Sequence, residues 1–88
     1  MKIIKNKNVI SENLSDKTFI LNNDTGVYIE LNETATELWG SFKDESSSEE
    51  LTSFLVNEYE IDNKIAKGDV DLFIKECITC KLLLKIEI

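Results

Sequence analysis

The two cysteines of the chain form a Cys77-Ile78-Thr79-Cys80 sequence, a spacing used in both redox and zinc sites. A redox pair lies at the N-terminus of a helix, where the helix dipole lowers the thiol pKa, but this one falls near the end of a predicted helix. A zinc site would need two more Cys or His ligands, and the chain has no further cysteine and no histidine. We therefore expect ordinary buried thiols and no metal, with a metal or disulfide site shared between two chains as the alternative.

Two pairs of carboxylates, Asp69 with Asp71 and Glu58 with Glu60, have the residue type that acid–base catalysis needs. Both pairs fall on predicted helices, where residues two apart do not share a face. The serines Ser46–Ser48 read as a loop and a helix cap, and no glycine-rich phosphate loop occurs. Because His, the usual base near neutral pH, is also missing, we expect no enzyme, no catalytic residue and no cofactor.

The charge of the chain argues against nucleic acid as a partner. Its 88 residues carry ten lysines, no arginine and 17 acidic residues, a formal net charge of −7, and phosphate binding depends on basic residues. Residues 30–60 hold one lysine and nine acidic residues, a net charge of −8. This segment is either the solvated face of two surface helices or a docking face for a basic partner.

The length and the apolar runs predict one domain over residues 1–88. The longest apolar run, Leu82–Leu84, is far too short to cross a bilayer, and residues 1–7 lack the apolar stretch of a signal peptide. We expect no membrane contact and a cytoplasmic location, where both cysteines stay reduced.

The first third of the sequence predicts a three-stranded antiparallel meander. Its strands are Val9–Glu12, Thr18–Leu21 and Val27–Leu31, joined by polar links at Asn13–Lys17 and Asn22–Gly26. In the third strand the apolar residues alternate, so they share one face, and the tyrosine and glutamate between them share the other.

Three helices follow, each introduced by a capping residue: Asn32, Ser47 (with Glu50 as a capping box) and Asp62. Trp39 lies on the first helix and is expected at the centre of the core of the domain. The third helix has a wide apolar surface: Ala66, Val70, Phe73, Cys77 and Cys80 on one stripe, widened by Leu72, Ile74 and Ile78.

The end of the chain, Leu82–Leu84 with Ile86 and Ile88, reads as an apolar tail packed on the core. The order β-β-β-α-α-α defines an α+β fold. An edge strand beside a wide apolar helix in so small a protein suggests a groove.

Five stretches in matching order resemble the PqqD-like family, whose members are also called RiPP recognition elements. They are Gly26–Ala35, a strand leading into an LNxTA helix start, then Glu37–Trp39, Ser48–Leu51, Tyr59–Asp62 and Asp69–Ile74. With the N-terminal strands the resemblance covers nearly the whole chain. One departure is Lys81, which stands where the family has a glycine before its final Leu-Leu pair.

The resemblance implies a winged helix-turn-helix-like fold, a three-stranded antiparallel sheet followed by three helices, that binds peptide instead of DNA. Such proteins are non-enzymatic chaperones that bind the leader of a ribosomally made precursor peptide. They deliver it to a separate enzyme, such as a lasso-peptide leader peptidase, a cyclase or a radical SAM enzyme. The leader adds as an extra strand along the third strand and lies against the third helix.

Carried over onto this sequence, the leader-binding residues are Val27, Tyr28, Ile29, Glu30, Asp69, Leu72, Phe73 and Glu76. For Val27, Ile29 and Phe73, plain core packing is the alternative, and the side of the strand that faces the groove stays open. We expect a monomer or a weak dimer, since an exposed strand edge invites self-pairing. The other functions considered are a winged-helix nucleic-acid-binding or small regulatory protein and a small thiol protein.

Overall fold

A computed structural model describes residues 2–86 and shows an α+β fold with two small sheets and three helices. The elements are β1 (Lys2–Lys5), β2 (Val9–Leu14), β3 (Lys17–Asn22), β4 (Tyr28–Leu31), α1 (Glu33–Gly40), β5 (Glu45–Ser47), α2 (Ser48–Tyr59), α3 (Asn63–Thr79) and β6 (Leu83–Ile86). The predicted three-stranded antiparallel sheet followed by three helices is confirmed, and a second sheet accompanies it.

The predicted meander is the sheet β2-β3-β4, in which Ile20 of β3 lies opposite Ser11 and Ile29. Its inner face is buried against the helices, and Ile20 has no exposed surface. The predicted link at Asn13–Lys17 is wrong in length. Only two residues turn between β2 and β3, because Ser15 adopts a left-handed backbone with φ 63° and lets both strands continue to the turn.

All three helices begin where their capping residues predict. The side chain of Asn32 accepts a hydrogen bond from the Ala35 N–H, and that of Ser47 accepts one from the Glu50 N–H. The Asp62 carboxylate accepts one from the Lys64 N–H at 2.7 Å. The helices contribute most of the core: Leu38, Trp39, Leu51, Leu55, Ala66, Val70, Phe73, Ile74 and Cys77 are buried.

The second sheet, in the order β5-β1-β6, was not predicted from the sequence. Its centre, β1, pairs antiparallel with β5 on one side and with β6 on the other. The apolar tail is therefore a strand, with Leu82 and Leu83 buried and Leu84 exposed; the predicted position of Ile88 lies outside the described residues.

Lys81 ends α3 in the conformation that the family's glycine would serve. Its φ is 61°, the Leu82 N–H donates to the Cys77 carbonyl at 2.8 Å, and the Lys81 N–H donates to the Ile78 carbonyl at 3.0 Å. These two bonds make a complete Schellman motif. Lys81 thus ends the helix as a glycine would, at the steric cost that a Cβ meets in this region.

We expect Lys81→Gly to raise the free energy of unfolding by about 0.5–1 kcal/mol, because glycine adopts a left-handed backbone without that cost. Urea denaturation measures the change. Lys67→Gly is the matched control, since the same substitution within α3, after its first turn, should lower stability by about 1 kcal/mol. A lower free energy of unfolding in Lys81→Gly would show that the left-handed backbone of Lys81 imposes no steric cost that glycine relieves.

Among residues 2–86, none of the helices combines the length and apolar character that a membrane-spanning segment requires.

Candidate functional site

A groove of about 700 Å³ lies between β4 with the start of α1 on one side and the outer face of α3 on the other. Its floor is apolar, because Leu38, Phe73 and Leu82 are buried side chains that reach its surface from α1, α3 and the segment after α3. The volume is in the range of pockets that hold ligands. Since α1 follows β4 after a single residue, one short stretch of sequence forms a whole wall.

β4 is an edge strand: β3 pairs with one side of it, and no described strand pairs with the other. The Asn22 N–H donates to the Val27 carbonyl at 2.9 Å. This bond shows which residues of β4 form main-chain hydrogen bonds with β3. By alternation, Ile29 and Leu31 direct their main-chain groups at β3, whereas Tyr28 and Glu30 direct theirs at the open edge. The edge therefore presents two unpaired sets of N–H and C=O groups beside the groove.

The side chains of β4 alternate as the sequence predicts. Ile29 and Leu31 face inward, while the ring of Tyr28 stacks on Phe19 at 5.9 Å on the outer face of the sheet. The Glu30 carboxylate also lies on that face, 3.2 Å from the Lys17 ammonium. The strand therefore lines the groove with its inward side chains and with its main chain.

Six of the eight residues predicted for the site line the groove together: Ile29, Glu30, Asp69, Leu72, Phe73 and Glu76. The other two, Val27 and Tyr28, do not; Val27 lies just before β4, and the Tyr28 side chain is 65% exposed on the outer face. The main-chain N–H and C=O groups of Tyr28 nevertheless face the open edge of β4 beside the groove.

The α1 wall of the groove was missed by the sequence reasoning. Asn32, Thr34, Ala35 and Leu38 all contribute to it. The available signal was the single residue between the third strand and the first helix, which forces the first turn of α1 to lie beside the strand end.

On α3 the groove residues differ sharply in burial. Phe73 is 5% exposed and belongs to both the core and the groove, whereas Leu72, which the sequence predicts to widen the apolar stripe, is 57% exposed. Leu72 is therefore an apolar side chain held in solvent at the rim of an apolar groove.

Asn22 fixes the far end of α3 to the meander. Its side chain is completely buried, and its amide nitrogen donates to the carbonyls of Cys80 and Lys81 at 3.3 and 3.1 Å. Its amide oxygen accepts from the N–H groups of Asp24 and Thr25 in the β3–β4 turn. One side chain thereby joins the turn before the edge strand to the end of the opposite wall.

Lys5 performs a similar role at the end of α1. Its ammonium group donates to the carbonyls of Trp39 and Phe42, both at 2.7 Å, and lies 4.4 and 4.6 Å from the centres of their rings. Burial lowers the pKa of Lys5, and the nearby Asp44 carboxylate acts in the opposite direction. Trp39 is buried, as the sequence predicts, and its carbonyl is held by this lysine.

Cys77 is a buried thiol whose pKa is raised to about 12, chiefly by burial. A thiol with this pKa stays protonated near neutral pH and does not act as a nucleophile. Cys80 is half-buried and both cysteines reach the groove surface. Within residues 2–86 no three side chains of the His, Cys, Asp and Glu types are grouped as a metal site requires.

The fold and the groove define a class of small α+β domain in which the edge of a sheet lies open beside an apolar helix. The chain belongs to the PqqD family, since the family model described as coenzyme PQQ synthesis protein D (PqqD) matches residues 17–83. The family membership that the sequence predicts is confirmed.

Two solved structures are similar to the chain. TbiB1 in complex with the TbiA(beta) leader peptide is 22% identical, with a TM-score of 0.84 over 97% of this chain and 99% of that one. Lasso peptide synthetase B1 complexed with the leader peptide is 18% identical, with a TM-score of 0.76 over 94% and 98%. At these identities the likeness concerns the fold. The comparison with curated proteins found no match.

Proposed function

We propose that this protein binds the leader of a ribosomally made precursor peptide by adding it as a strand to the open edge of β4. The single observation that carries this proposal is that the edge of β4 beside an apolar groove pairs with no described strand. Membership of the PqqD family and the leader peptides bound to both structural neighbours support it.

In this mechanism the main chain of the leader pairs with the outward N–H and C=O groups of Tyr28 and Glu30. Main-chain hydrogen bonds give affinity for any extended peptide, while pockets for alternate side chains select the sequence. The leader side chains that face the domain enter the groove above Phe73 and beside Leu72. The protein itself is a non-catalytic partner that holds its ligand by shape and hydrogen bonding.

The bound precursor is then presented to a separate maturation enzyme, such as a leader peptidase, a cyclase or a radical SAM enzyme. The acidic segment 30–60 offers a docking face for a basic enzyme, with Glu37, Glu49 and Glu50 on α1 and α2. If it serves that role, lysine at these three positions lowers recruitment of the enzyme and leaves leader affinity unchanged.

The test uses a synthetic leader, taken from a short precursor sought among the reading frames next to this gene. On its addition, amide shifts of the labelled protein should cluster on residues 28–31 and 69–76. Shifts confined to α2, or no shifts at a large molar excess of leader, would overturn the proposal.

Leu72→Ala should weaken leader binding about tenfold, because binding buries an aliphatic side chain that is exposed in the free protein. Isothermal titration calorimetry measures the affinity. Ile65→Ala is the matched control, since Ile65 is 60% exposed on the same helix and does not line the groove. Equal affinities for the two variants would remove Leu72 from the binding surface.

A further inference from the structure

The rim of the groove on α3 carries two carboxylates that form no ion pair within the described part of the chain. Asp69 and Glu76 are exposed, line the groove and form no ion pair with any of residues 2–86. The Glu30 carboxylate, by contrast, is turned to the outer face and paired with Lys17. The unpaired negative charge of the groove therefore comes from α3.

The geometry of the helix aligns these two carboxylates. Seven residues make almost two turns, so Asp69 and Glu76 lie within about 20° of each other around the axis and about 10.5 Å apart along it. Leu72 lies between them. Lys75 also lines the groove, but it lies about 100° around the helix from Glu76, at the margin of this face. Along α3, this wall of the groove therefore presents an acidic, an apolar and an acidic side chain in turn.

An extended peptide in the groove presents every second side chain to α3, about 6.6 Å apart. Three successive side chains on that face span about 13 Å, close to the rise of about 10.5 Å between the two residues along the helix axis. Lysine and arginine have long flexible stems that cover the remaining difference. A β-strand with a cation, an aliphatic residue and a cation at alternate positions complements this wall.

We propose that the peptide bound in this groove carries two basic residues four positions apart with an aliphatic residue midway between them, facing α3. The proposal rests on the proposed function and specifies its ligand. Asp69 and Glu76 determine the charge of the peptide, and Leu72 contacts its central aliphatic side chain.

The test selects a phage-displayed library of random twelve-residue peptides on the immobilised full chain. Selection is repeated on Asp69→Lys/Glu76→Lys and on Asp71→Lys/Glu58→Lys, a control with the same charge change away from the groove. The wild type and the control should enrich Lys or Arg at positions i and i+4 around an aliphatic residue at i+2. The groove variant should enrich Asp or Glu there.

The enriched peptide is then measured by fluorescence anisotropy with both cations changed to glutamine. Its affinity for the wild type should fall roughly threefold to tenfold, as expected for two exposed charge pairs. If the lysine variant does not fold, Asp69→Asn/Glu76→Gln takes its place. Its affinity for the unaltered peptide should be lower than that of the wild type by the same factor.

Enriched peptides that are neutral or acidic at these positions, and whose binding Leu72→Ala weakens, would overturn this inference and leave the proposed function in place. No enrichment over the empty support would count against both.

Discussion

Glu30→Pro should lower the affinity for the leader at least tenfold and leave the domain folded. The Glu30 N–H points at the open edge of β4, so proline removes a donor that no described strand uses. It also places a ring where the leader backbone must approach. Losing one or two main-chain hydrogen bonds of about 1 kcal/mol each, together with that clash, accounts for the expected loss. Calorimetry with the synthetic leader measures it, and circular dichroism reports the fold.

Two controls separate the main chain from the side chain. Glu30→Ala removes only a carboxylate that lies on the outer face with Lys17 and should change affinity little. Ser11→Pro places the same ring on β2, at the opposite edge of the same sheet, and should leave binding intact. If Glu30→Pro binds the leader as the wild type does, the leader does not add to β4.

Asn22→Ala should lower the free energy of unfolding by about 2–3 kcal/mol. The side chain is completely buried and makes hydrogen bonds to the β3–β4 turn and to the end of α3. Alanine leaves the part-buried Cys80 carbonyl and the two turn N–H groups without this partner, although the Lys81 carbonyl keeps its hydrogen bond from the Asn6 amide. An unsatisfied buried group costs about 1–3 kcal/mol. Urea denaturation measures the change.

Asn23→Ala is the matched control, because Asn23 is exposed and its only hydrogen bond in the described structure comes from its main-chain N–H. It should change stability by less than about 0.5 kcal/mol. Similar changes in the two variants would show that the side-chain hydrogen bonds of Asn22 do not stabilise the fold.

The elements with local signals were predictable from the sequence. Asn32, Ser47 and Asp62 mark helix starts because capping is decided within a few residues, and the structure shows each of these hydrogen bonds. The alternation along β4 is equally local: it placed Ile29 and Tyr28 on opposite faces, and the structure shows Ile29 inward and Tyr28 outward.

The second sheet was not predictable by the same means. Glu45–Ser47 is polar and only three residues long, and its strand conformation comes from pairing with β1, more than 40 residues earlier in the chain. The contacts of Lys5 are equally remote in sequence, since its partners are the carbonyls of Trp39 and Phe42. Short strands with distant partners carry too little local information to be read from one sequence.

The groove was predicted in outline and differs in detail. An edge strand beside a wide apolar helix was expected, and the predicted residues from both elements meet at one groove. The sequence alone left open the side of the strand that faces it. The hydrogen bond from the Asn22 N–H to the Val27 carbonyl settles which main-chain groups of β4 face the open edge, because it shows which of them β3 already uses.

The pairing of Lys2 with Ile86 has a consequence for the order of folding. During synthesis β1 leaves the ribosome before the other described elements, yet its partner β6 follows all three helices. The meander of residues 9–31 needs only contacts close in sequence and is free to form early. By contrast, β1 has no partner until β5 follows α1, and its other edge stays open until β6. Completion of the sheet β5-β1-β6 is therefore a late step, and it closes the fold on itself only when the final strand has emerged.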